Sequence, residues 1–374
     1  MTKSLYEQRV ERFKKTVVFE NDRPSTAFGG PATPAAHMNM LMKDYIFDTK
    51  NGFKAFLDYI KELDAIAPID CLNTIYPGRM NVAISLLWLS QVKSPGRELP
   101  DDALWQVQEK ALIEDEDYDF IIEHGYEEFH QKYLPRILGA EELEGFMNYV
   151  MTEGPEQAQM LVENGFLVIN PGLLAPPFEV LCGGRSMTKY YMDCYKKFDK
   201  IKEVQDVVFP TVLKQAINTL KQTNAMSGWI GGWRGASGMV SPKIWDNLVW
   251  PYMKKAAEAY IENGLTPILH LDQNWDRDIE RFLELPKQKV IINTDGMTDL
   301  TRARKLLGDH VAFMGDVPAP ILSMGTVAET EDYVKNLIDN VGAKGLIVTS
   351  GCDSPANAKF ENMVAMFKTA VEYK

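Results

Sequence analysis

Four short apolar segments in the C-terminal third of the sequence each end beside side chains that can bind a metal ion or transfer a proton. The segments are residues 267–271, 290–294, 311–316 and 346–350, and the side chains at their ends are His270, Asp272, Asp295, Asp316 and Cys352. Parallel α/β folds place their active sites at the carboxyl ends of the strands. We therefore interpret these segments as strands that carry one active site.

His270 and Asp272 are two residues apart, so on a strand their side chains lie on the same side. Cys352 follows the last segment, which can be a close neighbour across a barrel mouth. Imidazole nitrogen, carboxylate oxygen and thiolate sulfur together suit Zn²⁺, and three protein ligands leave the open position that a catalytic zinc needs. The spacing predicts a zinc site of these three residues, with Asp316 and Asp295 as the catalytic or orienting acids.

Each of these residue types also has an ordinary structural explanation. A histidine at a strand end is often only hydrogen-bonded, an aspartate there commonly caps the following helix, and cysteine is a frequent small core residue. An H-x-D pair followed by a distant cysteine is not a specific pattern, so both interpretations stay open on spacing alone.

The elements between the four segments favour a (β/α)₈ barrel. Helical stretches are predicted at residues 277–285, 299–307, 329–341 and 359–373. Strands that alternate with helices form a parallel sheet, and near-continuous apolar strands suit a sheet that is covered on both faces or closed. An open dinucleotide-binding sheet is disfavoured, because the glycine-rich residues 231–235 lack G-x-G-x-x-G spacing and a strong preceding strand.

The rest of the chain is predicted to complete one domain, residues 1–374, of the α/β class. Residues 1–50 are interpreted as an N-terminal extension, with a helix at 5–19 and a loop at 20–34, and the acidic residues 100–160 as a helical insertion. A helix at 52–63, a strand at 66–72 and a helix at 200–223 are also expected. Of the tryptophans at positions 229, 233, 245, 250 and 275, most are expected in the core and one or two beside an apolar substrate pocket.

The composition excludes several classes of protein. The net charge is −12 and no basic run is present, so nucleic acid is not an expected partner. The first residues lack an apolar signal region, and no apolar stretch reaches membrane-span length. The four cysteines form no C-x-x-C pair, so a reducing, cytoplasmic location is expected.

The C-terminal half resembles the uroporphyrinogen decarboxylase superfamily, which includes zinc-dependent methyltransferases that work with corrinoid proteins. The resemblance rests on the segments PILHLD (267–272), VAFMGDVP (311–318), MGT (324–326), GCDSP (351–355) and EN (361–362), and on the early segment ENDRP (20–24). It is expected to cover the whole chain and is strongest from about residue 265 onward. It implies the same barrel fold.

Two branches of the superfamily differ in their motifs. The decarboxylases carry an arginine-rich N-terminal motif for a polycarboxylate, whereas the corresponding residues 27–32 here read AFGGPA. Methyltransferases that use coenzyme M carry H-x-C and a distant cysteine as zinc ligands. This sequence matches them at His270 and Cys352 and differs at Asp272, where a carboxylate makes the metal more electrophilic and favours an oxygen-bearing substrate.

The resemblance therefore implies methyl transfer from a methoxylated donor, such as an aryl methyl ether, to a cob(I)amide on a corrinoid partner protein. Zn²⁺ and the partner's corrinoid are the expected cofactors, and a homodimer is a family-level expectation. Two alternatives stay open: a metal-free decarboxylase of a less charged acid, and a non-catalytic barrel that binds a tetrapyrrole or corrinoid.

Overall fold

The computed structural model describes residues 3–373. The strands are β1 (Ser25–Phe28), β2 (Cys71–Leu72), β3 (Val92–Lys93), β4 (Gln106–Val107), β5 (Leu173–Leu174), β6 (Ser227–Gly232), β7 (Thr266–Leu271), β8 (Ile291–Thr294), β9 (Ala312–Val317) and β10 (Leu346–Ser350). The helices before β6 are α1 (Leu5–Val17), α2 (Thr33–His37), α3 (Met42–Phe47), α4 (Thr49–Ile66), α5 (Met80–Trp88), α6 (Asp115–His124), α7 (Tyr126–Tyr133), α8 (Ala140–Met151), α9 (Glu153–Glu163), α10 (Pro177–Arg185), α11 (Met187–Lys196) and α12 (Phe198–Gln222). Those after β6 are α13 (Pro242–Ile244), α14 (Trp250–Glu262), α15 (Leu300–Leu307), α16 (Ala319–Met324), α17 (Val327–Val341) and α18 (Phe360–Glu372), with 3₁₀ helices at Leu134–Arg136 and Ile279–Glu284 and a π-helix at Trp245–Val249.

Eight parallel strands form the central sheet, in the order β2-β1-β10-β9-β8-β7-β6-β5. The sheet closes where Leu72 of β2 forms a parallel bridge to Val168. Its backbone N–H donates to Leu167 (2.7 Å), and its carbonyl accepts from the N–H of Ile169 (2.9 Å). The predicted (β/α)₈ barrel is therefore confirmed.

Small and aliphatic side chains fill the inside of the barrel. The interior cluster contains Ala27, Cys71, Leu167, Ile169, Ile268, Ile291, Ala312, Met314 and Ile347. Phe13 and Val17 of α1 belong to the same cluster, so this helix closes the barrel at the amino ends of its strands. The opposite end, at the carboxyl ends of the strands, carries the polar side chains of the candidate site.

The boundaries of α1 and of the four C-terminal strands agree with the expectations to within about two residues. Three other expectations were wrong. The strand expected at residues 66–72 is reduced to β2, and its first residue ends α4. Residues 25–28 lie within the predicted loop but form β1. This segment is short and half polar, so its sequence gives little indication of a strand, and it is paired with β10 on one side and β2 on the other. The glycine-rich residues 231–235 begin within a strand, β6, whose glycines lower its apparent strand propensity.

Helices α6 to α9 occupy most of residues 100–160 and continue to Glu163. Among residues 3–373, no helix is long and apolar enough to cross a lipid bilayer.

Candidate metal site at the barrel mouth

The structure brings His270, Asp272 and Cys352 together at the carboxyl ends of β7 and β10. His270 Nε2 lies 3.1 Å from an Asp272 carboxylate oxygen and 3.5 Å from Cys352 Sγ. Cys352 Sγ lies 3.8 Å from the other Asp272 oxygen. One ligand atom from each residue falls within 4.8 Å of the other two.

These separations fit a tetrahedral zinc. Zinc bonds of about 2.0–2.3 Å place two ligands of one tetrahedron about 3.3–3.6 Å apart, which matches the 3.5 Å between His270 Nε2 and Cys352 Sγ. The two Asp272 oxygens lie on either side of this range, one 3.1 Å from Nε2 and the other 3.8 Å from Sγ. Asp272 Oδ1 is buried and has no hydrogen-bond partner among the described residues. His270 is buried, whereas Asp272 is half-buried and Cys352 is exposed, so the group is open on the side of the mouth.

The charges of the three residues depend on one another. Burial opposes the charged form of His270, but the nearby Asp272 and Cys352 outweigh it and raise the pKa of His270 well above its ordinary value. Desolvation likewise opposes the charged form of Asp272, yet His270 lowers the pKa of this carboxyl overall. Desolvation raises the pKa of the Cys352 thiol despite the opposing effect of His270. A bound cation would remove this competition for one proton.

Asn293 orients the imidazole. It lies opposite His270 in the register of β7 and β8 and is fully buried. Its Nδ2 donates to the carbonyls of Met314 (3.1 Å) and Gly351 (3.3 Å), so its Oδ1 is left to accept from His270 Nδ1 at 2.5 Å. In the neutral form of the imidazole, which is the form that binds a metal, the proton is thereby held on Nδ1 and the Nε2 lone pair faces Asp272 and Cys352.

The other two predicted site residues, Asp295 and Asp316, lie outside this three-residue group. Asp295 accepts hydrogen bonds from the backbone N–H groups of Gln273 and Met297, both at 2.9 Å. The first of these bonds fixes the backbone of Gln273, the residue that follows Asp272. Asp316 is buried and accepts from the Tyr333 hydroxyl at 2.9 Å. Burial raises the pKa of Asp316 to about 6 against the effect of that hydrogen bond, with a smaller contribution from Asp295.

Two tryptophan side chains, Trp229 and Trp88, lie beside the metal group. The Trp229 indole lies 5.4 Å from the His270 ring, centroid to centroid, and Trp88 of α5 meets Trp229 edge-on at 6.2 Å. Trp229 folds over Gly231, where an added Cβ would lie 1.5 Å from the indole. Of the five tryptophans between positions 229 and 275, the three at 245, 250 and 275 are buried in the core, as expected for most of them.

Asn293, Trp88 and Tyr333 were not predicted as site residues from the sequence. Asn293 had one usable signal, since it is a polar residue inside an otherwise apolar strand and two positions before Asp295. Trp88 and Tyr333 lie on helices that come close to the site only in the folded chain.

The fold and the site together define a (β/α)₈-barrel protein with a histidine, an aspartate and a cysteine converging at the mouth. The family model described as "Uroporphyrinogen decarboxylase (URO-D)" matches residues 172–373, more than half of the sequence. The chain therefore belongs to the uroporphyrinogen decarboxylase family.

Among solved structures, a methyltransferase from Methanosarcina mazei is similar, with a TM-score of 0.70 over 97% of this chain and 98% of that chain. At 13% sequence identity this similarity concerns the fold. No curated protein matches the sequence.

Proposed function

We propose that this protein is a zinc-dependent methyltransferase that moves a methyl group from a methoxylated donor to the cob(I)amide of a separate corrinoid protein. The observation that carries the proposal is the convergence of His270 Nε2, Asp272 and Cys352 Sγ at an open mouth. The similarity in fold to a methyltransferase supports the same reaction class within the family. The absence of arginine from residues 27–32 makes a polycarboxylate a poor substrate.

The three residues have complementary roles in holding the metal. Asn293 presents His270 as a neutral imidazole, while Asp272 and Cys352 as anions balance the two charges of Zn²⁺. Zinc bound there would supply Lewis-acid polarisation of the donor's methoxyl oxygen, which makes that oxygen a better leaving group.

The two remaining acids, Asp295 and Asp316, have separate roles. Asp295 is a positioning residue, because its hydrogen bond to the N–H of Gln273 fixes the backbone that carries Asp272. Asp316, whose pKa is raised to about 6 by burial, exchanges a proton near neutral pH. Tyr333 holds the Asp316 carboxyl in place.

The test combines metal analysis with a methyl-transfer assay. We expect about one zinc per chain in the wild type and its loss in His270→Ala and Cys352→Ala. The control Cys194→Ala removes a buried cysteine of α11 and should retain the metal. Free cob(I)alamin replaces the corrinoid protein, and its spectrum reports methylation by a panel of methoxylated donors.

Each outcome decides the proposal. Zinc-dependent methylation that is lost in both ligand variants supports it. Wild type without zinc, or full activity in Cys352→Ala, rejects the metal mechanism. Release of CO₂ from an acid by metal-free protein would establish the decarboxylase instead.

A further inference from the structure

Helix α8 carries an apolar stripe that faces away from the rest of the protein. The stripe has the i, i+4, i+7 and i+8 spacing that normally marks the buried side of a helix, and it consists of Leu143, Met147, Val150 and Met151. Here Met147 is 47%, Val150 41% and Met151 72% exposed, and Leu143 is half-buried. We call these four residues the α8 stripe.

The contacts of Tyr149 fix α8 in this orientation. Tyr149 is the buried residue of the helix. It is two positions from both Met147 and Met151, which places it on the other side of the helix. Its hydroxyl donates to Gln157 Oε1 of α9 at 2.8 Å, and Gln157 Nε2 donates to the carbonyl of Thr49 at 3.2 Å. The α8 stripe is therefore held outward by bonds on the opposite side of the helix.

The surroundings of the α8 stripe are acidic. From residue 140 to residue 163, α8 and α9 contain six glutamates and neither lysine nor arginine. Of these six, only Glu142 forms an ion pair within residues 3–373, with Arg97. Glu141 and Glu144 are exposed on α8 itself. The stripe is thus an apolar row beside negative charge that the protein does not neutralise.

This charge selects the kind of partner that can cover the stripe. A second copy of the chain, docked through the same helices, would place two sets of glutamates opposite each other, and like charges across an interface are unfavourable. An anionic membrane surface would be repelled in the same way, because such surfaces attract basic segments. A partner with basic residues around an apolar centre is complementary on both counts.

The shape of the stripe favours a helix as the partner's element. From Leu143 to Met151 the row runs about 12 Å along α8, which is about two helical turns. An amphipathic helix presents its own apolar row over the same length. Methionine side chains adapt readily to such a surface.

The α8 stripe lies close to the candidate metal site. The Tyr149 ring packs against Gly78, just before α5, where an added Cβ would lie 2.6 Å from that ring. Trp88, the last residue of α5, contacts Trp229 beside His270. A partner bound to the stripe would therefore lie against the helix pair that borders the barrel mouth.

We propose that the α8 stripe binds a basic amphipathic helix of a partner protein. The apolar side chains of that helix cover Met147, Val150 and Met151, and its lysines or arginines face Glu141 and Glu144. This interaction is separate from the proposed function and needs neither zinc nor methyl transfer.

The test uses a labelled amphipathic helical peptide of leucine and lysine and the matching peptide of leucine and glutamate. Fluorescence anisotropy measures the binding of each to the whole protein. We expect the lysine peptide to bind about ten-fold more tightly or better, with an affinity that falls as salt rises. The double variant Met147→Ser, Met151→Ser should weaken it about ten-fold or more. The control Met324→Ser alters an exposed methionine of α16 and should bind as wild type does.

Two further measurements separate the stripe from the overall negative charge. The double variant Glu141→Gln, Glu144→Gln should weaken binding of the lysine peptide and reduce its salt dependence. Its control Glu203→Gln, Glu372→Gln removes two exposed carboxylates from α12 and α18 and should do neither. Methionine methyl NMR of the wild type should show peptide-induced shifts on the stripe methionines and not on Met324.

Equal binding of the two peptides overturns the proposal, as does unchanged affinity in the variant Met147→Ser, Met151→Ser. Peptide-induced shifts confined to other methionines would place the peptide elsewhere and would also reject it. A dimer seen in sedimentation velocity that the same double variant abolishes would show that a second copy covers the stripe, and the basic-helix proposal would then be wrong.

Discussion

His270 Nδ1 lies 2.5 Å from Oδ1 of Asn293, an amide whose Nδ2 is bonded to two backbone carbonyls of the barrel. This arrangement allows only one orientation of the amide and one tautomer of the neutral imidazole. When the imidazole is neutral, the atom that faces Asp272 and Cys352 is consequently an unprotonated nitrogen, which is the form that binds a metal.

Asn293→Ala should weaken zinc binding about ten- to hundred-fold, because the orienting partner of the ligand is lost. Competition with a chromophoric chelator measures the affinity. Thr294→Val is the matched control, since it removes a hydroxyl without a hydrogen-bond partner from the adjacent position. Equal zinc affinity in Asn293→Ala and wild type would contradict the orienting role.

Gly231→Ala should displace the Trp229 indole from the His270 ring, because the new Cβ would lie 1.5 Å from that indole. We expect altered tryptophan fluorescence and a kcat/KM for methyl transfer lowered about ten- to hundred-fold, because Trp229 packs beside the proposed metal ligand His270 and its displacement would disturb that side chain. At Gly232 the nearest atom to an added Cβ is 3.5 Å away, so Gly232→Ala is the control. Identical fluorescence in both variants would argue against this packing.

Asp316 should make stability depend on pH in the range between its unfolded and folded pKa values. Burial raises the folded pKa to about 6 from an ordinary value of 3.8, so its favourable contribution is present at low pH and is lost as pH rises through 6. Asp316→Asn imitates the neutral form. At pH 8 this variant should be more stable than wild type by about 3 kcal/mol, with a smaller difference at pH 4.

Urea denaturation across this pH range measures the effect. Tyr333→Phe removes the hydroxyl that donates to the Asp316 carboxyl, so it should move the pH-dependent loss of stability to higher pH. A constant difference between Asp316→Asn and wild type from pH 4 to 8 would show that this carboxyl keeps an ordinary pKa.

Phe13→Ala should lower the free energy of unfolding by about 3–5 kcal/mol, because it leaves a cavity where α1 closes the barrel. Urea denaturation checks this against Lys14→Ala, an exposed neighbour on the same helix that should change stability by about 0.5 kcal/mol or less. A loss below about 1 kcal/mol for Phe13→Ala would mean that α1 is not part of the core.

The C-terminal strands and the residues at their ends were predictable from the sequence. The strands β7 to β10 combine short apolar runs with helices between them, and both signals are local. His270 and Asp272 lie on one strand, so their shared direction follows from the two-residue period of β structure. The resemblance to the family was carried by the same segments.

Other features were decided only by the tertiary structure, because they depend on partners distant in sequence. The strand β1 is polar and short, and it is stabilised by its neighbours β10 and β2 rather than by its own propensity. Cys352 reaches His270 because the barrel brings the ends of β7 and β10 to one mouth. Glu179 of α10 accepts hydrogen bonds from three successive backbone N–H groups at residues 233–235, directly after β6, and no sequence pattern contains that relationship.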